Sequence, residues 1–104
     1  MQPDAVAMIA ALNHPLRRRI LRRFEENEGT KTSAARLAAE FDLPLGNISY
    51  HLQSLSKLKI LSLAEVRRIR GAREFVFISN LDGEEGWFRS ALEESRAADE
   101  RGAG

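Results

Sequence analysis

Leu43-Pro44-Leu45-Gly46-Asn47-Ile48-Ser49-Tyr50-His51-Leu52-Gln53-Ser54-Leu55 is the stretch on which the reading of this chain turns. It opens with a proline turn and settles into a helical rhythm of Ile48, Leu52, Leu55 and Lys59. Apolar residues three and four apart mark one buried helix face. The opposite face carries Gly46, Tyr50, Gln53, Ser54 and Lys57, all without an acid. A helix running from about Leu45 to Lys59 therefore offers a hydrogen-bonding surface that does not repel an anion.

Upstream, Thr32 or Ser33 caps a helix through about Phe41, with Ala34, Leu37, Ala38 and Phe41 inward. Asp42-Leu43-Pro44 is too short to be more than a turn, so the two helices form a helix-turn-helix. Two more helices precede them. Residues 3–12 place Ala5, Met8, Ile9 and Leu12 at helical spacing. Pro15 then starts a helix to about Asn27, capped by Asn13 or His14 and striped by Leu16, Ile20, Leu21 and Phe24. Downstream the period changes. Leu61 to Ile69 alternates imperfectly, and Arg73 to Ser79 is rich in aromatic and β-branched residues, so the two form a hairpin across Arg70-Gly71-Ala72. Asn80-Leu81-Asp82-Gly83 breaks the chain before a last helix over 84–98, and residues 100–104 are expected to fray. The expected fold is mainly α with a small β-hairpin, a winged helix-turn-helix of order α-α-α-α-β-β-α, in one domain spanning 1–104.

Three motifs resemble ArsR-type bacterial regulators. Asn13-His14-Pro15-Leu16-Arg17-Arg18-Arg19-Ile20-Leu21 is similar to their opening motif, Asn47 to Leu52 with Leu55 to their recognition helix, and Arg67 to Phe77 to their wing. The likeness covers roughly residues 5–81. It implies DNA contacts from Leu45, Gly46, Ser49 and Tyr50, and pairing of the first and last helices between two copies. At Leu45 and Gly46 relatives often carry polar residues, so this chain departs from the pattern where bases are read.

The residues give their own account of such contacts. The N-terminal part of the second helix of this motif meets base edges in the major groove. That selects Leu45, Gly46, Asn47, Ser49, Tyr50, Gln53 and Ser54, with Lys57 on the backbone. Lys31 and Thr32, at the expected helix start, are placed to hold a phosphate. Arg68, Arg70 and Arg73 cluster at the hairpin tip, suited to phosphates or the minor groove; a solvated charged hairpin is the competing account. Residues 82–104 carry a net charge of −4 and residues 1–81 carry +5, which puts an acidic part away from a nucleic acid. The five arginines between 17 and 23 cannot share one face, and some of them pair with Glu25, Glu26 or Glu28.

Double-stranded DNA and a second copy of the chain are the expected partners. Val6, Ile9 and Leu12 with Trp87, Phe88, Ala91 and Leu92 are the expected dimer surface, the alternative being that both helices complete the monomer core. Cysteine is absent, which excludes disulfides and thiol chemistry. His14 reads as a cap and His51 as a packed, hydrogen-bonded histidine. Asp82, Glu84 and Glu85 are a poor transition-metal set. No nucleophile–base pair or phosphate loop is visible, so no catalytic residue, metal or cofactor is expected, and the effector is undetermined. Met1 to Met8 lacks the layout of a signal segment and no apolar run reaches the length of a membrane span, so a cytoplasmic location is expected. A winged-helix module that binds protein rather than DNA is the rival.

Overall fold

The computed structural model describes residues 3–81 and 86–102. Helix α1 (Ala5–Ala11) starts where Asp4 Oδ1 accepts from the Ala7 N–H at 2.8 Å. Helix α2 (Pro15–Glu25) has Pro15 in its first turn, and the His14 ring accepts from the Leu16 N–H through Nδ1 at 3.1 Å. His14 is thus the cap, where the missing proline N–H costs nothing.

The third element departs from the sequence expectation. Lys31–Ser33 is a short strand, β1, and helix α3 (Ala34–Phe41) begins only after it. Ser33 ends the strand and caps the helix, its Oγ accepting from the Arg36 N–H. Asp42, in the left-handed region at φ 55°, ends α3 and turns the chain toward helix α4 (Leu45–Lys57).

Strands β2 (Leu61–Ile69) and β3 (Ala72–Ser79) make the hairpin, and β1 pairs antiparallel with the far edge of β3, so the sheet order is β1-β3-β2. Ile69 faces Ala72, which leaves Arg70 and Gly71 as a two-residue turn, both with positive φ (52° and 81°). That is the backbone of the mirror-image turn that matches strand twist. Leu63 pairs with Phe77 but Glu65 pairs with Val76, so Ala64 is an extra residue in β2. This bulge breaks the alternation of β2 and shifts the faces of the wing beyond it.

Helix α5 (Gly86–Gly102) completes the chain. The residues from 100 to 102 are helical and not frayed. The expected start of this helix at Glu84, and the turn at Asp82-Gly83, lie outside the described residues.

One core joins these elements. Ile20, Leu21 and Phe24 of α2 meet Leu37 of α3, Ile48, Leu52 and Leu55 of α4, and Phe88 and Leu92 of α5. Each helix supplies the residues that recur at three and four, so the stripe in the sequence is the buried face in the fold. The order of elements is that of a winged helix-turn-helix with one added strand.

Candidate nucleic-acid interface

The buried stripe of α4 turns the rest of the helix outward. Leu45, Gly46, Asn47, Tyr50, Gln53 and Lys57 are exposed, Tyr50 at 63%, while Ser49 and Ser54 are half-buried. No acid lies between Asp42 and Glu65, so this face carries no negative side chain of its own. The N-terminus of α4 has Pro44 at its cap and no side-chain capping bond. Its first amides are unclaimed by any side chain, and Gly46 has no neighbour within 4 Å of where a Cβ would stand.

Leu45, Ser49 and Gln53 share a groove of about 630 Å³ with Arg73, Phe75 and Phe77 of the wing. The groove lies between α4 and β3, so the helix and one wing arginine are brought together. Glu74 also lines it and was not expected from the sequence. Its Oε2 accepts from Ser33 Oγ at 2.8 Å and lies 3.5 Å from Arg36, while its Oε1 is buried with no hydrogen-bond partner among the described residues.

The wing sorts its arginines by partner. Arg67 lies 2.7 Å from Glu65 and is neutralised within its own strand. Arg68 and Arg73 face each other across the β2–β3 ladder, both exposed. Like charges directly opposite each other on a sheet are destabilising. Arg68, Arg70 and Arg73 have no ion-pair partner among the described residues. An anion laid across them would relieve the repulsion.

Two expected phosphate positions change. Thr32 is a strand residue only 2% exposed, with its side chain inside the protein, so it cannot touch a phosphate. Lys31 is exposed, but it lies on β1 rather than at a helix start, and the helix-terminus argument for it lapses. The reason is pairing: Thr32 sits opposite Phe77 in the sheet, and that contact draws the segment into β structure.

The arginines of α2 are mostly committed inside the molecule. Arg18 and Arg22 both bind Asp99 of α5, at 2.8 and 3.0 Å, and Arg22 also donates to Ser95 Oγ and the Leu92 carbonyl. Arg23 binds Glu40 at 2.9 Å and lies 3.8 Å from Glu26; Arg89 binds Glu25 at 2.9 Å. Arg17 donates to His51 Nδ1, and Arg19 lies over the Phe41 ring. Asp99 is more than seventy residues from its partners, and nothing local in the sequence marks it.

His51 lies behind the exposed face, buried beside Arg17, Tyr50 and the His14 ring, whose centroid is 4.5 Å away. Burial first, then the charges of His14 and Arg17, push its pKa below the ordinary histidine value. The unfolded chain then takes up this proton more readily than the folded one. Stability present above the ordinary value is lost as pH falls through the lowered one. Urea midpoints are expected to fall between about pH 7 and pH 5. His51→Gln, which keeps an acceptor for Arg17, is expected to flatten that dependence; an unaltered pH slope would count against it.

On the expected dimer surface, Val6 is 76% exposed, Ile9 55% and Trp87 49%, with Leu12 and Ala91 half-buried. Phe88 and Leu92 are in the monomer core and cannot belong to a surface. The α5 helix turns them into the core it shares with α2, in the same rotation that brings Asp99 to Arg18 and Arg22.

Among the described residues, no group of three or more His, Cys, Asp or Glu is placed to hold a metal ion, and no helix is long and apolar enough to cross a membrane.

Fold and exposed surface together define a winged helix-turn-helix module. Residues 12–64 match the model of a family described as a helix-turn-helix domain, and the chain belongs to that family. Two solved structures share the fold. One is a "possible transcriptional regulator" from Methanosarcina mazei Go1, 14% identical, with a TM-score of 0.59 over 94% of this chain and 82% of that one. The other is NolR from Sinorhizobium fredii, 21% identical, with a TM-score of 0.52 over 96% of this chain and 95% of that one. Comparison with curated proteins finds no match.

Proposed function

We propose that this protein is a DNA-binding transcription regulator of the ArsR type. The carrying observation is the Arg68–Arg73 pair, two exposed arginines opposite each other in the wing ladder, with Arg73 sharing a groove with the acid-free face of α4. In this reading α4 enters the major groove, Ser49, Tyr50 and Gln53 meet base edges, and Leu45 lies against a thymine methyl. Gly46, Asn47, Ser54 and Lys57 approach the backbone, as does the exposed Lys31. Arg68, Arg70 and Arg73 take phosphates or the minor groove. The protein acts in the cytoplasm as a repressor by occluding a promoter, in one domain with no cofactor.

The working unit is a homodimer joined through α1 and α5. Two copies read half-sites about one helical turn (~34 Å) apart. The exposure of Val6 and Ile9 on α1 and Trp87 on α5 supports this, because large apolar groups on both terminal helices face water in the single chain. The Val6→Asp/Ile9→Asp variant is expected to elute as a monomer under light scattering, with an unchanged circular dichroism spectrum. A native chain that is already monomeric at assay concentrations would overturn the pairing.

Fluorescence anisotropy with fragments selected from the host genome tests the whole reading. Binding is expected to be sequence-selective and to weaken steeply with salt. A second reading, a module that binds protein through the same groove, is favoured by the apolar Leu45, Phe75 and Phe77 there. It predicts no retention on DNA and no effect of removing the wing arginines.

A further inference from the structure

A second cavity, of about 580 Å³, lies between α2, the end of α3 and the last turns of α5. It shares no lining residue with the groove between α4 and the wing. Its volume falls within the ordinary range for small-ligand sites. Pro15, Leu16 and Phe41 give it an apolar wall, and its charged wall carries four arginines against three acids.

Most of those charges are answered. Asp99 is held by Arg18 and Arg22, Glu26 lies near Arg23, and Arg96 binds Glu93 at 2.8 Å. Glu100 is exposed. Arg19 is different: its guanidinium carbon lies over the Phe41 ring, 4.0 Å from the centroid, and the exposed side chain has no carboxylate partner among the described residues. The ring contact holds the guanidinium carbon in place while no described hydrogen bond or ion pair uses its N–H groups, and a guanidinium can receive a carboxylate through two parallel bonds. Arg22 beside it is buried, and its described bonds all run through Nη1. Its Nε and Nη2 have no hydrogen-bond partner among the described residues, and neither is a buried unsatisfied atom.

We propose that this cavity binds a small aromatic carboxylate, the carboxylate on Arg19 and Arg22 and the ring against Pro15 and Leu16. A bare anion would leave the apolar wall uncovered, and a neutral ring would make no use of the Arg19 charge. An occupant touches α2, α3 and α5 together, so it ties the terminal helix to the helix-turn-helix. An effect on DNA binding rests on the function proposed above and is a separate measurement.

Calorimetry on the full chain without DNA tests the site, with benzoate, benzamide and inorganic phosphate as probes. Benzoate is expected to bind with a Kd of about 1 mM or tighter. Arg19→Gln is expected to weaken it at least about tenfold, since a charge-assisted pair is removed. That variant removes no acid pairing, and an unchanged melting curve establishes that it folds. Benzamide and phosphate are expected to bind more weakly than benzoate. No binding of benzoate, phosphate binding as tightly as benzoate, or benzoate binding indifferent to Arg19→Gln each overturns the proposal. Because no DNA is present, failure here leaves the DNA-binding reading standing, and a chain that never binds DNA leaves this result standing.

Discussion

Asp99→Ala is expected to cost about 2–4 kcal/mol of stability, among the largest effects of any single polar substitution in the chain. Asp99 is the shared acceptor of Arg18 and Arg22, and the Arg22 side chain is only 8% exposed. Removing the carboxylate strands a buried guanidinium, whose remaining partners are Ser95 Oγ and the Leu92 carbonyl. Breaking a buried pair is costly for this reason, even where forming it stabilises little. The melting temperature is expected to fall on the order of 10–20 °C. Asp99→Asn, which keeps an acceptor but loses the charge, should fall between.

The same residue sets an acid limb. The hydrogen bond from Arg18, opposed by burial and aided by Arg22, holds Asp99 down to about 2 from the ordinary 3.8. A depressed carboxylate stabilises the fold fully above its unfolded value and loses that contribution as pH falls toward its folded one. Acid unfolding between those two values is expected to be shallower in Asp99→Asn than in the native chain. Equal stability of the native and Asp99→Ala chains by urea titration would show that α5 is not held through this pair.

The second large effect is on DNA. Replacing Arg68, Arg70 and Arg73 together by alanine is expected to weaken binding on the order of 100-fold near ~0.1 M salt, at about 1 kcal/mol for each contact. The plot of log K against log salt is expected to become shallower by about 0.9 for every phosphate the variant no longer neutralises. Selectivity between related sites should change little, because phosphate contacts position without choosing sequence. Stability provides the control. Arg68 and Arg73 repel each other across the ladder, so their removal should leave the melting temperature unchanged or slightly higher. A triple variant with unaltered affinity and salt slope would exclude the wing from the DNA interface.

Much of the architecture was legible because helices advertise themselves locally. The stripes Ile20-Leu21-Phe24 and Ile48-Leu52-Leu55 are buried as their spacing requires. Ser33 caps α3 through its hydroxyl, and Gly71, having no Cβ, takes the positive φ of the wing turn. The strand Lys31–Ser33 was not legible. Three residues show no period, and this segment becomes β only because β3, more than forty residues on, offers an open edge. The extra residue Ala64 was visible only as an irregular alternation, since a bulge is defined by the partner strand.

Within the candidate site, the exposed face of α4 and the arginine tip were visible as residue types, but their state was not. Arg67 and Arg68 are neighbours of the same kind, and only the structure shows that one is neutralised by Glu65 of its own strand while the other lies opposite Arg73 in the ladder. In α5, Trp87 and Phe88 are adjacent aromatics, one half exposed and one fully buried. By itself, the sequence determined the helices, the turns, the hairpin and the acid-free face of α4, because those depend on residues within a few positions of one another. Only the tertiary structure decided which arginines are held by Asp99, which aromatics are core, and that Arg19 stacks on Phe41 while Arg73 faces Arg68. Charge pairing and burial are settled between segments that the chain keeps far apart.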